Sequence, residues 1–201
     1  MSEVPEGVSL SSFERRPPRP TATMTMTRDG HDDVEVLLGL RSETMAAFPG
    51  YWAFPGGGLS RVDDAAVETL EGFEGPGAKA TACILREMSE ELGLAPSENG
   101  LVSIPLDERQ QIIADKSRYI PLAQEGAFPY DTRSLRVLSH RITPPFGPIQ
   151  FDNAFMHIHA GPQESVPEID LEPQTEFTQI MWETPNNILD RWSKHEIKVA
   201  P

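Results

Sequence analysis

The nine residues REMSEELGL, Arg86 to Leu94, decide how this chain is read. Glu87, Glu90 and Glu91 are spaced i, i+3 and i+4, so a helix projects all three carboxylates from one side. They repel one another there unless a cation sits among them. Ala80, Ile84, Met88 and Leu92 fall on the opposite side at i, i+4 spacing, an apolar stripe that seats the helix on a core. Gly93 stands where the C-terminus belongs, with Ala95-Pro96 beyond, so the spacing predicts a helix over 78–92. Its carboxylates sit at the negative end of the helix dipole, which adds to their repulsion. Such a face calls for a metal ion.

Working outward, Thr21–Thr27 (TATMTMT) alternates at period two and precedes the turn Asp29-Gly30 and a second strand, VEVLLGLR, at 34–41. Tyr51–Phe54 reads as a short aromatic strand entering Pro55-Gly56-Gly57-Gly58, where glycines let backbone approach a ligand closely. Residues 59–77 read as an acidic insertion with a short helix near 63–70. Residues 97–134 read as a second insertion, with one helix in LDERQQIIADKSRYI. Strands are expected at 135–142, 151–159 and 177–182, and PNNILDRWSK reads as a helix opened by proline. Strands on both sides of a central helix, with another helix at the end, suggest an α/β fold: a mixed sheet covered on two sides, an α/β/α sandwich.

A length of 201 residues suits one domain, here 20–201, behind an arm at 1–19 that reads for the most part as extended or mobile and whose Arg15, Arg16 and Arg19 could touch a ligand or simply be solvated. With 17 basic against 31 acidic residues the net charge is −14, which argues against nucleic acid or an anionic membrane as partner. It leaves room for a small phosphorylated ligand whose charge a divalent metal offsets. No apolar run reaches the roughly 18 residues of a membrane span, and the start lacks the order of a secretory signal, so a cytoplasmic protein is expected. The single cysteine, Cys83, reads as core packing.

Three glutamates beside a glycine turn offer hard oxygen ligands, which suit Mg²⁺ or Mn²⁺ and not zinc. Metal of that kind completes its shell with water and substrate phosphates, so a diphosphate substrate and attack by water follow. Arg86 either orients a glutamate or is a surface charge.

The string REMSEELGL resembles the second half of the Nudix box, Gly-x5-Glu-x7-Arg-Glu-U-x-Glu-Glu-x-Gly-U with U aliphatic, and AFPGGG resembles the strand and loop leading into it. The resemblance implies the Nudix α/β/α sandwich and Mg²⁺-dependent hydrolysis of a nucleoside diphosphate linked to another moiety. It makes Glu87, Glu90 and Glu91 metal ligands, with Glu90 and Glu91 the central pair, and a carbonyl of Gly56 or Gly57 a supplementary ligand. The box glutamate upstream would fall at position 78, which is alanine, and the box glycine is separated from the helix by the insertion. A carboxylate outside the box often serves as a further ligand or base in the family. Glu176 resembles it, with Glu172 in reserve.

The stretch LLGLRSETMAAFPGYWAFPGG, 37–57, further resembles the motif of coenzyme A diphosphatases, with Leu37, Leu38, Arg41, Ser42, Gly50 and Phe54–Gly57 matching. Gly39 replaces a threonine, and Ala46 replaces an arginine. On this resemblance Arg41, Ser42, Gly50 and Phe54 are substrate-side residues, and coenzyme A or a derivative is the substrate. ADP-ribose, NADH or another nucleotide is the alternative, as is a sensor without turnover. Arg109 stands where a proline often marks ADP-ribose hydrolases, and Gln110 and Gln111 where a tyrosine often marks dinucleoside polyphosphate hydrolases. A homodimer is a common state of the family. His157 and His159 share a strand face but lack a third ligand; Trp52, Phe146 and Trp182 could stack on a base or pack in the core; Tyr130-Asp131 has no assigned role.

Overall fold

The computed structural model describes residues 17–144 and 150–200. Arg15, Arg16, most of the expected arm and Phe146 lie outside them. Seven strands form one mixed sheet: β1 (Arg19–Asp29), β2 (Val34–Arg41), β3 (Trp52–Ala53), β4 (Gly56–Gly58), β7 (Arg136–Ile142), β8 (Phe151–Pro162) and β9 (Phe177–Glu183). A separate hairpin is made by β5 (Leu94–Ser97) and β6 (Gly100–Ser103). The main path runs β3-β2-β1-β8-β7, with β9 paired to β2 and β4 to β1; β1 and β8 are parallel, and the other pairs antiparallel.

Period-two patterning orients β1. Ala22, Met24 and Met26 are buried on one face, and the threonines lie on the other, where Thr21 and Thr23 bond to Asn153 Oδ1. That buried face, with Leu37, Met156, Ile158 and Ala160, packs beneath α2 (Ala78–Glu87), and α1 (Arg61–Thr69), α3 (Leu106–Ala114) through Ile112, and α4 (Tyr119–Gln124) extend the same core. The opposite face is covered at β2 by α5 (Pro185–Ser193): Val36 and Leu38 pack with Ile188, Ile197, Trp52 and Phe54. Helices on both faces of a mixed sheet are the expected α/β/α layering. Among the described residues no helix is long and apolar enough to cross a membrane.

Three elements depart from expectation. The central helix is α-helical only through Glu87 and ends in a π-helical turn, Met88–Leu92, capped by Gly93 in the left-handed region at φ 64°. Ser89 Oγ donates to Leu85 O at 2.8 Å, the back-bond that loosens a helix locally. The single helix expected across 106–120 is two, α3 and α4. Asp115 accepts from Ser117 N and Oγ between them, and Pro121 would clash with the carbonyl four residues back in a continuous helix. The β5–β6 hairpin was not anticipated, although Asn99-Gly100 is the turn signal that announces it.

The segments around residues 72–73 and 130–132 brace each other. Phe73 stacks on Tyr130 with centroids 6.2 Å apart, and Thr132 Oγ1 donates to Gly72 O at 2.8 Å. This gives Tyr130 its role.

Candidate active site

The apolar stripe of the central helix is buried as read, and its other side faces the glycine turn. Gly56 donates its N–H to Glu91 Oε2 at 2.9 Å, and a Cβ on Gly57 would come within 2.2 Å of Glu87 Oε1. Backbone without side chains is therefore what lets the turn meet the carboxylates. Gly56 contributes this N–H to Glu91, while Gly57 O accepts from Cys83 Sγ at 3.7 Å. Cys83 is fully buried, and burial pushes its thiol up, so it is an inert packing residue.

The cation among the glutamates is Arg86. Its Nη1 lies 2.9 Å from Glu87 Oε1 and 3.1 Å from Glu90 Oε1, and it is itself only 3 % exposed. The guanidinium is gripped from behind by Asp63, Nε to Oδ1 at 2.7 Å and Nη2 to Oδ2 at 3.2 Å. Burial disfavours its charge, but Asp63, Glu87 and Glu90 outweigh this and raise its pKa. Asp63 is the residue the sequence reading missed. It lies in the first turn of α1, is buried, and also accepts from Ser60 N and Oγ, which caps that helix. Arg86 is thus paired with a carboxylate from a separate helix. The only local signal was the capping pattern Ser60-x-x-Asp63.

Glu91 is buried, and its Oε1 has no hydrogen-bond partner. An unpartnered buried carboxylate oxygen is costly, and a proton, a water or a cation beside it removes that cost. Burial raises the Glu91 pKa well above the carboxylate range, and the charges of Glu87 and Glu176 add to this, while the Gly56 bond and Arg41 oppose it. Glu87 is pushed up to about 7, first by burial, then by Glu90 and Glu176 against the pull of Arg86. Glu90 stands at the rim, raised by burial despite Arg86 and Lys116. Among the described residues no three His, Cys, Asp or Glu side chains converge as a ready coordination shell. Arg86 stands between Glu87 and Glu90. The oxygen donors, their mutual repulsion and the orphan Oε1 fit a hard divalent cation.

Glu176, from the segment before β9, is near enough for its charge to raise both Glu87 and Glu91. Its carbonyl accepts from Ser42 N at 2.8 Å, so Ser42 contributes by holding that segment to the end of β2. Arg41 lies on the same side and lowers Glu91; its Nε donates to Ala47 O at 2.9 Å, and its carbonyl accepts from Gly50 N at 3.1 Å. Gly50 closes that loop at φ 71°. Phe54 is half-buried and packs with the α5 cluster. Trp52 packs there too. Trp182 packs on the main core under Arg28, whose guanidinium carbon is 4.4 Å from the ring centroid. His157 and His159 both bond to Thr27 Oγ1, at 2.9 and 3.2 Å, on the sheet face away from α2. Glu172 contributes its carbonyl, to Arg109.

No family model matches the sequence, and no curated protein matches it. Solved structures do. A NUDIX hydrolase from Alicyclobacillus acidocaldarius superposes with a TM-score of 0.77 at 24 % identity, over 92 % of this chain and 86 % of that one. The chain has the Nudix hydrolase fold. The NUDIX domain of Shewanella oneidensis NrtR, solved with ADP ribose, is similar at a TM-score of 0.53 and 12 % identity, over 94 % of this chain and 86 % of that one. In this Nudix fold the box helix carries the three glutamates, and the glycine turn faces them.

Proposed function

We propose that the protein is a divalent-metal-dependent diphosphatase that hydrolyses a nucleoside diphosphate linked to a second moiety. The observation that carries this reading is Glu91, buried with an unpartnered oxygen beside Glu87 and opposite the glycine turn. Glu87, Glu90 and Glu91 would hold Mg²⁺ or Mn²⁺, which when bound supplies charge neutralisation and Lewis acidity at the diphosphate. Arg86, clamped by Asp63, fixes the rotamers of Glu87 and Glu90. Glu176 faces the same space, where it would serve the metal as a further carboxylate or accept the proton of the attacking water. Arg41 brings positive charge to the open side, where the diphosphate would lie. The bond broken is a phosphoanhydride P–O bond; water supplies the new oxygen.

Coenzyme A or a derivative is the preferred substrate. Support comes from the 37–57 motif, whose Arg41, Ser42 and Gly50 build one loop that is bonded to the Glu176 segment. Incubation with Mg²⁺ and a mixture of coenzyme A, reduced NAD, ADP-ribose and diadenosine polyphosphates, followed by mass spectrometry, tests this. Phosphopantetheine and adenosine 3',5'-bisphosphate are the expected products. Cleavage of another member reassigns the substrate, and absence of any product with Mg²⁺ or Mn²⁺ overturns the enzyme reading. Glu90→Gln and Glu91→Gln are expected to abolish turnover in a folded protein. Binding without turnover is the second reading; it is favoured by the hold of Arg86 on two of the three glutamates and by the ADP ribose in the NrtR domain. Calorimetry with ADP-ribose separates the two.

A further inference from the structure

The second insertion places a buried cation directly behind the box helix. Arg109, on α3, is 2 % exposed and bonds to backbone carbonyls of two distant segments. Its Nη2 donates to Glu90 O and Glu91 O, each at 3.1 Å, and its Nη1 donates to Asp170 O at 2.6 Å and Glu172 O at 2.8 Å. Its Nε adds a long contact to Glu90 O at 3.4 Å. The first pair are carbonyls that the end of the π turn leaves without helical partners. The second pair open the segment that leads to Glu176. That segment is braced internally: Glu172 N donates to Asp170 Oδ1 at 2.9 Å, and Gln174 Oε1 accepts from Glu176 N at 2.6 Å and from Phe177 N at 3.0 Å. One guanidinium therefore ties the backbone of Glu90 and Glu91 to a stiff loop whose far end presents Glu176.

We propose that Arg109 is a positioning residue that sets the place of Glu176 relative to the helix glutamates. A planar fork of fixed donors suits this task, since each arm serves one segment and the spacing between them is rigid. A lysine keeps the charge but not the fork, so it retains the burial of a cation while losing the geometry. The catalytic consequence rests on the diphosphatase reading; the structural consequence does not.

The test uses the full chain and its variants Arg109→Lys, Arg109→Met, Glu176→Gln and Arg109→Lys combined with Glu176→Gln. Hydrogen–deuterium exchange is read over 170–177, with 80–87 as internal control, and Mn²⁺ affinity by calorimetry. Faster exchange over 170–177 in Arg109→Lys, with 80–87 unchanged, is expected. Mn²⁺ binding is expected to weaken by ~10-fold or more, as for loss of residues that orient metal ligands. In the double variant the two losses should not multiply, since both act on one carboxylate. Unchanged protection over 170–177 in a folded Arg109→Met, or losses that multiply in full, would overturn the proposal. So would an Arg109→Lys in which 80–87 loosens equally, which marks a purely structural cation. If the unaltered chain binds no Mn²⁺, the metal reading falls, and exchange alone decides whether Arg109 fixes the loop.

Discussion

Two residues carry the greatest consequence for their size. Gly57 has no room for a methyl group beside Glu87, so Gly57→Ala must displace that carboxylate or the turn. Mn²⁺ affinity and turnover are expected to fall by ~10-fold or more while the melting temperature moves little, read by calorimetry and thermal unfolding. Asp63 differs in kind, because it lies behind Arg86 and touches no space open to a ligand. Asp63→Asn leaves the guanidinium buried among fewer charges and should cost about 3–5 kcal/mol, the range for breaking a buried ion pair. Denaturant unfolding measures this. A loss below about 1 kcal/mol would show that Glu87 and Glu90 alone hold Arg86. Gly57 is visible in the sequence as a glycine near a motif, whereas the partnership of Asp63 with Arg86 spans 23 positions and is visible only in space.

At the scale of elements, the box helix owes its chemistry to how it ends. Had α2 stayed α-helical through Leu92, all three carboxylates would have projected from one side. The π turn instead leaves Glu90 at the rim and Glu91 buried, bonded to the glycine turn. Turns of this type recur at functional sites because they re-aim one side chain without ending the helix. Gly93 closes the turn at φ 64°, its N–H donating to Met88 O, with Arg109 Nη1 2.9 Å from where a Cβ would be. Gly93→Ala is expected to destabilise by about 1–2 kcal/mol from backbone strain, and by more if Arg109 is pushed from its carbonyls. A shift in thermal midpoint measures the first part, and Mn²⁺ affinity reports the second. Strand and helix positions were legible because their periodicities are local. The π turn was not, since the same residues satisfy an α-helical pattern.

For the whole molecule, a site with buried, mutually repelling carboxylates couples folding to protons and to metal. The pKa of Glu87 is raised to about 7, and that of Glu91 is raised as well, against an ordinary value of 4.5 for glutamate. Between those limits the folded chain binds protons that the unfolded chain releases. The stability they confer is therefore complete below about pH 4.5 and is lost as pH rises through about 7. With chelator present, the melting temperature is expected to fall from pH 5 to pH 8, and Mg²⁺ should flatten that fall by replacing the protons. A melting temperature that climbs over this range without metal would contradict the burial of these groups. The net charge of −14 acts in the same direction through general repulsion.

By itself the sequence determined the elements whose signals are short in range: the alternation of β1, the apolar stripe and glycine stop of the box helix, the proline that opens α5, and the three glutamates with their glycine turn. Local steric and periodic rules fix those wherever the chain goes. Only the tertiary structure decided that Arg86 is the cation among the glutamates, that Asp63 grips Arg86 from a separate helix, and that Phe54 packs on the α5 side. It also decided that Phe73 stacks on Tyr130, and that Arg109 spans from the box helix to the Glu176 segment. The physical reason is burial. A charge removed from water takes whichever partner the packing brings within about 3 Å, and the spacing of residues along the chain carries no record of that partner.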